Sequence, residues 1–240
     1  MRMRKKKNLV PRMLQCHSLL MEQPADCRGI WRSLLGGSCG LRLELGCGKG
    51  RFTCETAAAN PDVLFIAVER VPDAMIIAME RARAMQLSNV FFIDTDAARL
   101  PDYFMPDEVD LIYLNFSDPW PSNRHAPRRL THSNFLSLYR DVLKDGGEIH
   151  FKTDNVDLFE FSLIQFPKAG YELTEVSRNL HINGICGVMT DYEAKFYEQG
   201  KPICRCAARK IPGLFPHIPV RHGFDSRAGI SENEFDQKNN

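Results

Sequence analysis

Short apolar-rich runs at residues 41–45, 63–68, 90–93 and 109–115 are separated by stretches in which apolar residues return at every third or fourth position. Runs of that length suit buried strands, and the wider spacing suits helices with one buried face. A helix is expected at 53–60, closed by Pro61, and a second begins at Pro72 with Met75, Ala78, Met79, Ala82 and Met85 on one side. A loop and short helix follow the third run. Thr131 is the candidate cap of a helix whose face is Phe135, Leu138, Tyr139, Val142 and Leu143, and Lys144-Asp145-Gly146-Gly147 reads as a turn into a strand at 148–153. A helix at 156–166, a strand at 171–177, a short helix near 192–198 and a strand at 203–210 follow. Alternation of strand and helix predicts an α/β fold, a doubly wound and mainly parallel Rossmann-like sheet. Residues 1–40 then form a basic arm and lead-in, 41–211 the folded domain, and 212–240 a mobile tail without apolar periodicity.

Composition narrows this reading. A chain of 240 residues accommodates one ordinary domain with tails. The net charge of +1 argues against a protein that coats nucleic acid indiscriminately, yet Arg2, Arg4, Lys5, Lys6, Lys7 and Arg12 stand together without an acid, and a second basic cluster spans Arg124 to Arg129. No apolar run is long enough to cross a membrane, so a cytoplasmic protein, monomer or homodimer, is expected. The 8 cysteines include no C-x-x-C pair, which indicates neither a metal site nor a disulfide framework.

The chemistry starts at Glu44-Leu45-Gly46-Cys47-Gly48-Lys49-Gly50, where glycines directly after a strand let the backbone turn sharply and approach a ligand. A dinucleotide site would show G-x-G-x-x-G and bind a pyrophosphate at the helix amides. Here the spacing is G-x-G-x-G with a carboxylate ahead of it, which suits a cationic cofactor such as S-adenosylmethionine, a sulfonium with an ammonium group. Glu69, ending the second strand, is placed to accept hydrogen bonds from ribose hydroxyls, and Asp96, after the third, to bound an adenine. All three acids fall beyond the carboxyl ends of successive strands, the edge where open α/β sheets bind ligands.

The fourth strand ends in Asn115-Phe116-Ser117-Asp118-Pro119-Trp120-Pro121, in which two prolines stiffen a platform bearing one carboxylate and one indole. Together with Leu43 to Phe52, Arg124-His125, Arg128 to Thr131, Ile149 to Asn155 and Met189 to Glu193, this segment resembles the bacterial tRNA (guanine-N7)-methyltransferases, and the resemblance runs to about Lys210. It implies a seven-stranded sheet with an antiparallel last strand and methyl transfer from S-adenosylmethionine to N7 of guanine 46 in the tRNA variable loop. It further implies that Glu44, Gly46, Gly48, Glu69, Asp96 and Asp118 hold the cofactor and that Asp118 is catalytic. Arg124, Arg128, Arg129, Asp154, Thr190, Asp191, Tyr192 and Glu193 are implied to contact tRNA. Ser122 and Asn123 stand where that family carries basic residues, Asp191 replaces a glutamate, and the tail after Lys210 has no counterpart in it.

Guanine N7 already offers a lone pair, so positioning rather than proton removal should dominate such a reaction. The alternatives open at this point are a methyltransferase of the same fold acting on another RNA or a small molecule, and an RNA-binding relative without activity.

Overall fold

The protein is described here by a computed structural model covering residues 6–213. Seven strands, β1 Gly40–Leu45, β2 Val63–Glu69, β3 Val90–Asp94, β4 Val109–Asn115, β5 Leu143–Thr153, β6 Tyr171–Ser177 and β7 Cys204–Lys210, form one sheet in the order β3-β2-β1-β4-β5-β7-β6. The first five pair in parallel, and β7 runs antiparallel to both neighbours, β5 and β6. The helices are α1 Leu9–Gln15, α2 Arg51–Ala58, α3 Pro72–Ala84, α4 Leu100–Tyr103, α5 Ser133–Val142, α6 Val156–Lys168 and α7 Asp191–Glu198.

Successive strand side chains point to opposite faces, so the two halves of each apolar run serve different cores. Leu41, Leu43, Ile66, Val68, Ile112, Leu114 and Phe151 pack with α5 and α6, while Phe65, Ala67, Phe92 and Tyr113 pack with α2 and α3. Glu44 lies in the same alternation as Phe65 and Tyr113, which sends its side chain under α2.

Two local expectations are corrected. The cap of α5 is His132, whose Nδ1 accepts from the Asn134 amide at 3.2 Å. Thr131 lies too early for that role; it is fully buried, and its hydroxyl accepts from Ser162 of α6 at 2.7 Å. The turn at residues 144–147 is an excursion within β5 and not its boundary, because Val109 pairs with Leu143 and Leu111 with Glu148. The carboxylate of Asp110 ties down this bulge through Lys144 at 2.5 Å and reaches Arg32 at 2.8 Å and the Leu41 amide at 2.6 Å.

The lead-in belongs to the folded body. Trp31 is completely buried, stacks on Phe104 at 5.2 Å and donates its indole N–H to Tyr103 O at 2.8 Å. Leu20 bridges to Phe92 at the β3 edge of the sheet, and Arg12 grips Glu80 of α3 with two bonds of 2.6 Å. Arg12 of the basic arm is thus engaged with the protein itself. Arg2, Arg4 and Lys5, and the tail from residue 214 onward, lie outside the described residues. Among the described residues no helix is long and apolar enough to cross a membrane, and no group of three or more His, Cys, Asp or Glu could hold a metal ion.

Candidate functional site

The loop between β1 and α2 is hung from the end of β2. Gly46 N and Cys47 N both donate to Val68 O, at 2.8 and 3.2 Å, and Gly48 N donates to Glu69 Oε2 at 2.9 Å. Glu69 Oε1 accepts the Arg70 and Val71 amides at 3.0 Å each, so this buried carboxylate clamps two loops to one another. Gly46 and Gly48 have φ of 79° and 56°, and no atom lies within 4 Å of where a Cβ on either would stand. The space over these two glycines is open, so a ligand can approach the backbone there. Gly50 differs: a Cβ there would collide with Ala78 of α3, whose Cα would lie 2.8 Å away. The third glycine therefore serves helix packing, whereas the sequence alone groups all three together.

Glu44 is only 2% exposed; it accepts from the Thr53 hydroxyl and from Asn115 Nδ2 at 2.9 Å. Burial pushes its carboxyl up to about 7, against the opposing pull of those two donors and the Lys152 charge. The folded protein thus holds this proton more tightly than the unfolded chain does. The resulting stabilisation is full below the ordinary carboxyl value and is lost as pH rises through about 7. Between pH 5 and pH 8 this group should cost the ligand-free protein roughly 3 kcal/mol. Denaturant unfolding at the two pH values should show a flatter dependence in Glu44→Gln, and an unchanged slope would refute the assignment.

Asn115 spends its amide N–H on Glu44, while its Oδ1 is buried and unpartnered among the described residues, as is Ser117 Oγ. Two unpaired acceptors thus stand where β4 meets the platform. Buried polar atoms without a partner are uncommon in folded proteins.

The platform itself is strained. Phe116 and Trp120 adopt φ of 54° and 43°, in the left-handed region that bulky side chains avoid. Phe116 is held by its amide, which donates to Lys152 O at 2.9 Å, and by its ring, 6.1 Å from Phe196 of α7. Trp120 is held by Arg129, whose Nε and Nη2 donate to Pro119 O and Trp120 O at 3.0 Å each, with the guanidinium 4.4 Å from the centre of the Phe161 ring. Arg128 lies over the Trp120 ring at 5.0 Å, and His125 meets its edge at 5.8 Å. Asp118 is exposed, and its carboxylate accepts no hydrogen bond among the described residues. Arg124 and Arg128 are exposed beside it, in the 3-10 segment Asn123–Arg128, whereas Arg129 is buried.

A buried knot flanks the platform. Lys152 Nζ donates to Glu193 Oε2 at 2.6 Å and to Val188 O at 3.0 Å. His181 Nε2 donates to Glu193 Oε1 at 3.0 Å, while its Nδ1 accepts the Cys186 amide at 3.1 Å. Burial lowers the Lys152 ammonium from its ordinary value, against the raising effect of Glu193. Glu193 also completes a capping box with Thr190, so the residues ahead of α7 are bound to β5 through one carboxylate. Asp191 faces Arg81 at 3.5 Å, Tyr192 is 55% exposed, Asp154 pairs with Lys201, and Asp96 pairs with Arg70 at 3.2 Å and accepts the Ala98 amide at 2.9 Å.

Glu44, the glycine loop, Glu69 and the platform thus gather at the carboxyl edge of β1, β2 and β4. Asn115, Lys152 and His181 were not singled out in the sequence. A lysine between Phe151 and Thr153 in an otherwise buried strand is the one signal that pointed there, since a buried ammonium requires a partner.

Comparison with known proteins agrees with this geometry. A family model described as “Putative methyltransferase” matches residues 40–206. The tRNA (guanine-N(7)-)-methyltransferase of Streptococcus suis (strain 05ZYH33) is 40% identical over 210 residues, spanning 87% of this chain and 99% of that protein. The enzyme of that name from Bacillus subtilis (strain 168) is 42% identical over 206 residues, spanning 85% and 97%. This chain belongs to the tRNA (guanine-N(7)-)-methyltransferase family. Solved structures match in fold: the 16S rRNA methyltransferase KamB superposes with a TM-score of 0.59 at 16% identity, covering 76% of this chain and 93% of that one. A 16S rRNA (adenine(1408)-N(1))-methyltransferase from Catenulisporales acidiphilia, solved with cosubstrate SAM, gives 0.55 at 14%, covering 82% and 95%. These structural matches bear on the fold alone.

Proposed function

We propose that this chain methylates N7 of guanine 46 in the variable loop of tRNA, with S-adenosylmethionine as donor and residues 41–211 as the catalytic domain. The observation that carries the reading is the open backbone at Gly46 and Gly48 after β1, with the strained platform that presents Asp118 after the neighbouring β4. Family membership names the tRNA and the N7 position, and the open glycine loop with the unpaired acceptors fits the donor. Bound there, S-adenosylmethionine supplies an electrophilic methyl group.

The chain's own residues do the rest. Glu44 and the free Oδ1 of Asn115 offer acceptors to an ammonium, Glu69 to ribose hydroxyls and Asp96 to an adenine amine; Gly46 and Gly48 keep the backbone clear. Asp118 accepts from the Watson–Crick edge of the guanine, which fixes the ring and favours the positive charge that develops on it as N7 bonds to carbon. No base need remove a proton. Arg124 and Arg128 are placed for phosphates, which set register without reading sequence. Asp154, Thr190, Asp191 and Tyr192 contact the tRNA, whereas Arg129 and Glu193, both buried, act by holding the platform and the start of α7 in place.

Incubation with methyl-labelled S-adenosylmethionine and unmodified tRNA, followed by mapping of alkali-labile 7-methylguanine, should place the label at guanine 46. Label at another guanine would overturn the position. No label in tRNA despite cofactor binding would overturn the substrate.

A further inference from the structure

Between β6 and α7 the chain exposes two large aliphatic side chains, Ile182 at 71% and Ile185 at 60%, and every residue from 182 to 187 is exposed. We infer that this loop is an apolar wedge that enters the tRNA core and fills the gap left when the target guanine is drawn out. The inference rests on the tRNA reading above.

Three observations support it. The first is the anchor. The His181 ring is buried, held by Glu193 on Nε2 and by the Cys186 amide on Nδ1, and Gly184 N returns to His181 O at 3.0 Å. The loop therefore closes on a fixed ring while its tip stays outside. A wedge needs that combination, because a slack loop would be displaced by the stack that it has to part. The second is the place. Val188, just past the loop, packs with the core that contains Cys47 and Phe52, and Lys152 holds its carbonyl. Phe196 of the following helix touches Phe116 of the platform. The loop thus stands on the rim of the site where the guanine must arrive. The third is its chemistry. Residues 181–187 contain no acid to repel phosphates, Asn183 sits between the two isoleucines, and Tyr192 lies exposed a few residues on. Aliphatic wedges part base steps in nucleic-acid complexes, aromatic rings stack on the bases so released, and a polar tip can take up the hydrogen bonds a displaced base leaves behind.

The test compares the chain carrying both Ile182→Ala and Ile185→Ala with the unaltered chain on two substrates. One is folded, unmodified tRNA; the other is a tRNA whose tertiary partners of the target guanine have been changed, so that this base is already free. The expected result is at least a tenfold loss of kcat/KM on the folded tRNA and less than a twofold loss on the loosened one. Equal losses on both would make the loop an ordinary contact, and no loss on either would leave it no part in the reaction; each result overturns the wedge. A 2-aminopurine beside the target base should brighten on binding the unaltered chain and not the double variant. That readout needs no methyl transfer, so it separates failure of the wedge from failure of the proposed reaction. Sedimentation of both proteins covers the remaining occupant: a dimer that falls apart in the variant would make the loop a subunit contact and also overturn the proposal.

Discussion

Asp118→Asn and Arg129→Ala should each lower kcat on tRNA about a hundredfold while leaving cofactor affinity within about threefold, one by removing the charged group and the other by releasing the segment that positions it. The asparagine keeps the shape of the exposed carboxylate and removes its charge, so the guanine would be held less firmly and its developing positive charge would lose its counterpart. Arg129 acts at one remove. Its guanidinium spans the carbonyls of Pro119 and Trp120 at 3.0 Å each, and those carbonyls close a turn in which Trp120 holds a φ of 43°. Without that clamp the strained backbone at Trp120 loses its hydrogen-bonded tie, and the peptide bearing Asp118 relaxes with it. Arg129→Lys should recover only part of the loss, because an ammonium cannot present the planar fork that meets both carbonyls. The double variant should be little worse than either single one, since both remove one function. Single-turnover methylation and a cofactor titration check these outcomes; full turnover in Arg129→Ala would end the clamp assignment.

Glu193→Ala should destabilise the fold by about 4 kcal/mol, because it leaves the buried Lys152 ammonium and the His181 ring facing an unpaired cavity. Glu193 has no exposed surface, and Lys152 is 7% exposed. Removing one member of a buried ion pair costs far more than replacing both by apolar groups of similar volume, so Lys152→Met combined with Glu193→Leu should recover much of the stability. It should not recover activity on tRNA, since the segment from Val188 to Tyr192 would lose its tie to β5. Urea unfolding of the two variants and the parent makes the comparison. A single alanine variant as stable as the parent would show that the knot bears no load.

These two predictions concern residues whose types the sequence displays but whose tasks it hides. Arg128 and Arg129 are adjacent arginines in a basic run and read alike. Their difference arises where the 3-10 segment ends: Arg128 closes it with its guanidinium over the Trp120 ring, while Arg129, extended just after it, reaches the carbonyls of Pro119 and Trp120. Thr190 and Glu193 read as tRNA contacts by resemblance, yet together they form a capping box whose carboxylate also serves Lys152 from 41 residues away. That separation is what local pattern cannot cross.

Determined by the sequence alone were the alternation of strands and helices, the turn at Gly46 and Gly48, the acids at the strand ends and the proline-braced segment around Asp118. All of these follow from neighbouring residues: period, propensity and the steric rules of glycine and proline act within a few positions. Only the tertiary structure decided that β7 inserts between β5 and β6, that Gly50 makes room for Ala78, that Thr131 leaves its cap to His132, and that Glu44 turns under α2 where burial raises its carboxyl to about 7. Each of these depends on what a distant segment places opposite, and the free energy of burial and pairing is set by that partner rather than by the residue itself.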